Sequence, residues 1–179
     1  MRTFIAVSAF AALAAPAFAA PEGQVMVDGS VATSCSGGTV TGADTVFDLG
    51  VLIDTSTGFL LPDLSAPPKT LVGSYCNTRS SITVSATPMV AQNANGAAPA
   101  GFTPALDYTV TASGWTINPA AYATGAAVHP SATQVRSTAF SGPITVSVSG
   151  FTPVGGSNLR PVADPDYRGS VIVSLAVAH

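Results

Sequence analysis

The chain has 179 residues and a formal net charge of −3, and only 8% of its residues are charged. With six Lys and Arg residues and no basic cluster it cannot neutralise a phosphate backbone, so the composition argues against nucleic-acid binding. Glu22 is the only glutamate and Lys69 the only lysine. This shortage of helix-forming charged residues, beside abundant Thr, Val, Gly and Pro, predicts an all-β protein.

The N-terminus has the three parts of a secretory signal peptide. Arg2 gives a positive start, residues 4–15 are apolar, and Ala17-Phe18-Ala19 has the small-x-small pattern of a cleavage site. The apolar run is shorter than the roughly 20 residues that cross a bilayer, which disfavours a membrane anchor. We therefore predict a signal peptide at residues 1–19 and a single domain at residues 20–179, with no later membrane span.

Period-two alternation recurs along the mature chain and predicts strands with one buried face. The alternating runs are at residues 25–31, 46–52, 82–87, 106–113, 144–149 and 171–177. Several short strands separated by Gly, Pro and Asn turns are typical of a β-sandwich. Residues 118–130 are rich in alanine and could hold a short helix, limited by Pro119, Gly125 and Pro130.

Cys35 and Cys76 are the only cysteines, and in an exported chain two cysteines are expected to form a disulfide. In the chain-entropy model, closing a loop of this size stabilises the fold by about 4 kcal/mol. A reactive thiol would need a nearby base, and His129 and His179 are the only histidines. The alternatives of a redox-active thiol and a metal ligand are less favoured.

The sequence contains no constellation of residues typical of an enzyme. Gly-x-Ser-x-Gly, phosphate-binding glycine loops and His-rich metal spacings do not occur in it. Asp164 and Asp166, followed by Gly169, faintly resemble a calcium loop, but Asp-Pro-Asp is more often a turn. We predict no enzymatic activity, no cofactor and no metal.

Aromatic residues offer an alternative to a purely structural role. Exposed rings could form a platform for a surface glycan, although a single Trp in a sandwich is more often part of the core. The candidates are Tyr75, Tyr108, Trp115 and Tyr122. The alternative function is thus an extracellular carbohydrate-binding or adhesive module with a complete sandwich.

Four short motifs together suggest a family. They are Gly29-Ser30-Val31 before Cys35, Val46-Phe47-Asp48-Leu49-Gly50, Cys76 before Ile82-Thr83-Val84, and Asp166-Tyr167-Arg168-Gly169 before the last alternating run. This layout resembles the subunits of chaperone–usher fimbriae (pilins) and the spore coat protein U domain of bacteria. The resemblance implies an incomplete immunoglobulin-like sandwich whose missing strand comes from a periplasmic chaperone and then from a like or related subunit.

The resemblance also implies a function and a location. It predicts an exported, fimbrial-subunit-like structural protein in the periplasm, on the cell surface or in a fimbria of a bacterium. The residues expected to take part in strand addition are Val25, Val27, Val171, Val173, Leu175 and Val177. Two departures from the pilin pattern are the short segment before Gly29 and the final Val177-Ala178-His179, which lacks an aromatic residue. They leave open a terminal subunit, a non-polymerising protein or a complete sandwich.

Overall fold

The computed structural model describes residues 28–40, 45–94 and 96–179, and all regular secondary structure in those ranges is β. The all-β class predicted from the composition is therefore confirmed. The β-rich unit of the chain is Ala32–His179. Of the other unit, Met1–Val31, the described part is residues 28–31, which form no strand.

The described residues up to Thr103 form seven strands. They are β1 (Cys35–Ser36), β2 (Thr39–Val40), β3 (Lys69–Val72), β4 (Tyr75–Cys76), β5 (Ser80–Ala86), β6 (Met89–Ala91) and β7 (Phe102–Thr103). Eight more strands follow. They are β8 (Ala105–Ser113), β9 (Ala120–Ala123), β10 (Thr133–Arg136), β11 (Phe140–Ser141), β12 (Ile144–Pro153), β13 (Arg160–Pro161), β14 (Tyr167–Arg168) and β15 (Val171–Val177).

Two sheets enclose the core. The larger sheet has the order β14-β6-β8-β12-β3-β2, with β9 also paired to β8, and the smaller has the order β10-β5-β15. The inward side chains of β5 share one hydrophobic cluster with those of β8 and β12, so the two sheets form a sandwich. Two minor sheets, β1-β4-β11 and the parallel pair β13-β7, complete the described strands.

The core follows the alternation read from the sequence. On β8 every second residue from Leu106 to Ala112 is buried, and on β12 the same holds from Ile144 to Val148. The strands pair antiparallel in direct register, with Val110 opposite Val148. Their inward apolar residues therefore form adjacent rows on one face, as the period-two pattern predicts.

Residues 46–52 do not form the predicted strand. The backbone turns at Gly50, which has a φ of +63°, and the Asp48 carboxylate accepts a hydrogen bond from the Gly50 N–H at 2.9 Å. A side chain bonded to the backbone two residues ahead makes a turn, and it interrupts the extended chain here. Val46 and Val51 are mostly exposed, whereas Phe47 and Leu49 are half-buried against the core.

The short helix considered for residues 118–130 is also wrong, because the chain forms β9 there. The four residues of β9 pair antiparallel with β8, and Ala120 lies opposite Ala112. Pairing with a long neighbouring strand overrides the helix propensity of alanine, which is only a weak preference. Val31, predicted in the first strand, lies outside any strand and is exposed.

Candidate functional site: a groove beside β15

The two cysteines form the predicted disulfide. Cys35 on β1 lies directly opposite Cys76 on β4 in an antiparallel pair, with their Cα atoms 4.1 Å apart and an S–S distance of 2.08 Å. Cys76 is buried, and neither cysteine remains as a free thiol. The pair is therefore a structural link between β1 and the strand that leads into β5.

An open apolar groove lies beside the last strand of the chain. Its volume is about 830 Å³. The larger sheet contributes inward side chains of β3, β8 and β12, and the start of β15 forms one wall. The apolar lining comes mainly from Leu71, Tyr108, Val146, Val148, Phe151, Val171 and Val173. A concave apolar surface of this size is large enough to hold a ligand or an extended peptide segment.

β15 is an edge strand, and among the described strands it pairs only with β5. At its two ends the Ser170 carbonyl accepts a hydrogen bond from Thr87 N–H, and Ala178 N–H donates to the Arg79 carbonyl, both at 3.0 Å. Hydrogen-bonded residues alternate in antiparallel pairs, so the even-numbered residues of β15 bond to β5. The odd-numbered residues direct their N–H and C=O groups to the open edge.

The same odd-numbered residues carry the inward side chains of β15. They are Val171, Val173, Leu175 and Val177, and all four are half-buried. Their register partners on β5 include Ile82 and Val84, which are 0% and 1% exposed. Neighbouring strands of one sheet thus differ in burial, because among the described strands β5 has a paired strand on each side, whereas β15 is paired only on the side of β5. These four residues are the ones predicted from the sequence to meet a partner strand.

The segment before Gly50 also lines the groove, through Thr45, Val46, Phe47 and Leu49. Phe47 and Leu49 contribute side chains to it, and the Lys69 ammonium lies 6.0 Å from the centre of the Phe47 ring. A second cavity of about 440 Å³ continues from the groove past Met89 to the loop before β14. The groove is therefore lined both by residues of the edge strand β15 and by an irregular, partly apolar segment.

Tyr108 reaches from β8 to the residue before β15. Its hydroxyl donates a hydrogen bond to the Ser170 carbonyl at 3.1 Å, and its ring stacks on Phe151 with the ring centres 5.4 Å apart. Burial raises the pKa of the Tyr108 hydroxyl above its ordinary value. The sequence pattern indicated that Tyr108 would face inward, but it gave no signal for this contact with the last strand.

The Asp164–Asp166 loop is a hydrogen-bonded turn. The Asp164 carboxylate accepts hydrogen bonds from the backbone and side chain of Asn93, at 2.7 and 2.9 Å, and from Asp166 N–H at 2.8 Å. Burial acts to raise the pKa of Asp164, but these hydrogen bonds outweigh it, so its pKa lies below the ordinary value. Asp166 pairs with Arg168 at 2.7 Å.

These contacts occupy the carboxylates that a calcium loop would use. Within residues 28–40, 45–94 and 96–179, no group of three or more His, Cys, Asp or Glu side chains lies close enough to hold a metal ion. The turn interpretation of the Asp-Pro-Asp sequence agrees with the observed hydrogen bonds.

The four candidate aromatic residues do not form an exposed platform. Trp115 is fully buried, its indole N–H donates to Ser80 Oγ at 3.2 Å, and Tyr108 is 4% exposed. Tyr122 is half-buried and stacks on His129, with 3.8 Å between the ring centres, and only Tyr75 is exposed. The core interpretation of Trp115 is confirmed.

Val25 and Val27, the other two residues predicted to take part in assembly, lie outside the described residues. In the described part of the chain, no helix has the length and apolar character needed to cross a membrane. The chain matches no protein-family model, no curated protein and no solved structure.

Proposed function

We propose that this protein is an exported structural surface protein, similar to a fimbrial subunit, that assembles by adding a strand from a partner chain at the groove beside β15. The observation that carries the proposal is the coincidence of an apolar groove with an open strand edge on its wall. The proposed role is architectural and involves no catalysis.

The open edge supplies the hydrogen bonds for strand addition. Unpaired N–H and C=O groups on an edge strand form a template for another chain. Natural edges are often protected by charge, proline or a bulge, yet Val171–Val177 contains no charged residue and no proline, and it pairs with β5 without a register shift. An added strand would pair with the odd-numbered residues of β15, from Val171 to Val177.

The groove supplies the hydrophobic contribution to the binding of an added strand. Burial of apolar surface contributes about 25 cal/mol per Å², and the inward residues of β15 are only half-buried in the free chain. A strand with alternating apolar residues would place every second side chain over Val146 and Val148 while its backbone bonds to β15. Specificity would come from this side-chain pattern and affinity largely from the backbone hydrogen bonds.

The proposed partners are those that the family resemblance implies. A periplasmic chaperone would fill the groove first, and a like or related subunit would replace it. Val25 and Val27 remain the residues predicted to be donated to a neighbouring subunit. Export through the signal peptide and formation of the Cys35–Cys76 disulfide in an oxidising compartment are parts of the same proposal.

The test is a proline that blocks the open edge without breaking β15. Val173→Pro removes an N–H directed away from β5, and edge strands accept proline at such positions. The protein would be expressed with a periplasmic chaperone of the chaperone–usher class, and the co-purified chaperone would be measured. We expect the unmodified protein to carry about one chaperone per chain and Val173→Pro to carry at least about tenfold less.

Val135→Pro is the matched control on the opposite edge of the same sheet. Val84 N–H bonds to the Ala132 carbonyl at 2.9 Å, so by the same alternation Val135 directs its N–H away from β5. This variant should retain the chaperone. Equal loss of the chaperone from both variants, or no chaperone on the unmodified protein, would contradict strand addition at β15.

Edman sequencing of the secreted protein would test the predicted start of the mature chain at Ala20.

A further inference from the structure

Four residues at the start of β15 form a cluster that we call the latch: Thr87, Tyr108, Gly169 and Ser170. The Ser170 carbonyl accepts two hydrogen bonds, from Thr87 N–H at 3.0 Å and from the Tyr108 hydroxyl at 3.1 Å. Ser170 N–H in turn donates to Thr87 Oγ1 at 2.9 Å. The latch therefore joins the end of β5, the start of β15 and the middle of β8.

Gly169 lets the chain approach Tyr108 closely. A Cβ atom at this position would lie 2.8 Å from the Thr87 carbonyl oxygen, 3.0 Å from the Tyr108 hydroxyl and 3.2 Å from Met89 Cγ. The first contact is with backbone and cannot be relieved by a side-chain rotation. Only glycine allows the turn between β14 and β15 to rest directly on the hydroxyl.

The Tyr108 side chain is itself held in place. It is 4% exposed, and Phe151 stacks on its ring. Both rings line the groove, as do Gly169, Ser170 and Val171. A side chain anchored in the larger sheet is thus hydrogen-bonded to the residue just before the smaller sheet's open strand.

We propose that Tyr108 is a positioning residue for strand addition. Its hydroxyl holds Ser170 so that the open edge of β15 lies at the distance from the larger sheet that an added strand requires. This inference rests on the proposed function, because it concerns the same groove. The hydroxyl does not touch the added strand. It acts through Ser170 on the backbone that does.

Tyr108→Phe is the decisive variant, since it keeps the stacked ring and removes only the hydroxyl. Tyr167→Phe is its control for amide exchange, because the Tyr167 hydroxyl also donates to a backbone carbonyl, that of Val162 at 2.9 Å rather than that of Ser170. Gly169→Ala is a second variant that displaces the turn while leaving the tyrosine intact.

The first readout needs no partner. Amide hydrogen exchange of Thr87, which bonds to Ser170, should become about tenfold faster in Tyr108→Phe and in Gly169→Ala. Exchange of Val84 N–H, which bonds to Ala132 on the other side of β5, should be unchanged. A purely global loss of stability would accelerate both amides equally and would overturn the proposal.

The second readout is capture of a labelled synthetic peptide of residues 22–33, followed by fluorescence anisotropy. We expect Tyr108→Phe to weaken capture about tenfold and Tyr122→Phe, at a residue of β9 that does not line the groove, to leave it within about twofold. Unchanged capture by Tyr108→Phe would overturn the positioning role and leave strand addition standing. If the unmodified protein captures no peptide, strand addition by this segment is contradicted, and exchange at Thr87 alone decides whether Tyr108 holds β15.

Discussion

β12 and β15 show the same alternation of apolar and polar residues, but their inward faces have different surroundings. Ile144, Val146 and Val148 on β12 are at most 5% exposed, because strands flank β12 on both sides and the smaller sheet covers it. The inward residues of β15 are only half-buried, because β15 has a neighbour on one side. A strand's pattern shows which face is apolar, and its neighbours decide whether that face is covered.

The largest expected loss of stability concerns the fully buried core around Trp115. Trp115→Ala should lower the free energy of unfolding by about 3–5 kcal/mol, because it empties a fully buried site and leaves Ser80 without its hydrogen-bond donor. The ring also packs edge-on against Phe140, with 5.2 Å between centres. Urea denaturation monitored by circular dichroism measures the loss. Ile117→Ala, at a fully exposed position two residues away, should change stability by less than about 0.5 kcal/mol.

The core and its strand patterns could be predicted from the sequence because they depend on local periodicity. Ile82, Val84 and Val110 were assigned to the buried face, and the structure agrees. The Cys35–Cys76 pair was expected because the sequence has only two cysteines and a predicted signal peptide. In each case a short-range pattern or a simple count favoured one outcome over the others.

The groove could not be predicted in the same way, because it depends on the packing of distant segments. Residues 46–52 alternate like a strand, yet the turn at Gly50 interrupts them, and Val46, Phe47 and Leu49 line the groove instead. The Tyr108–Ser170 hydrogen bond joins residues 62 positions apart. Neither Gly169 nor Ser170 stands out in the sequence, and their role appears only when β15 is placed against β8.

The second prediction concerns the disulfide that links β1 to β4. Replacing both cysteines with serine should lower the free energy of unfolding by about 2–4 kcal/mol, since the unfolded chain regains the freedom of a 41-residue separation. Urea denaturation of the double variant measures this loss, and the unmodified protein in reductant should approach the same midpoint. Equal midpoints for the oxidised protein and the variant would show that the link does not stabilise the fold.

The third prediction compares Val84 with its register partner Val173 on the adjacent strand. Val84→Ala should cost about 2 kcal/mol, because the side chain is 1% exposed and its loss leaves a cavity. Val173→Ala should cost about 1 kcal/mol or less in the free protein, where the site is only half-buried. Urea denaturation of both variants measures the difference. Equal costs would show that the flank of β15 is as well covered as the core.

The smallest change in the free energy of unfolding at neutral pH is expected from ionisation of the Tyr108 hydroxyl. This change should grow as the pH rises. Burial raises its folded pKa above the ordinary value of 10.0, so folding favours the neutral hydroxyl. The associated stability is fully present below about pH 10 and is lost as the pH rises through the folded pKa. Stability of the unmodified protein should therefore fall more steeply above pH 10 than that of Tyr108→Phe, as measured by urea denaturation at pH 8, 10 and 11.

Tyr167→Phe separates this effect from general alkaline unfolding. Burial also raises the pKa of Tyr167, and the nearby Asp164 charge adds to it, so both tyrosines contribute a decline above pH 10. Of these two hydroxyls, that of Tyr108 donates a hydrogen bond to Ser170 at the start of β15, and ionisation removes this donor. Protection of the Thr87 amide, taken as its exchange rate relative to that of the unfolded chain at the same pH, should therefore still fall above pH 10 in Tyr167→Phe, whereas in Tyr108→Phe that protection should already be low at pH 8. If both variants showed the same pH dependence at Thr87, the open edge of β15 would be held by the sheet alone.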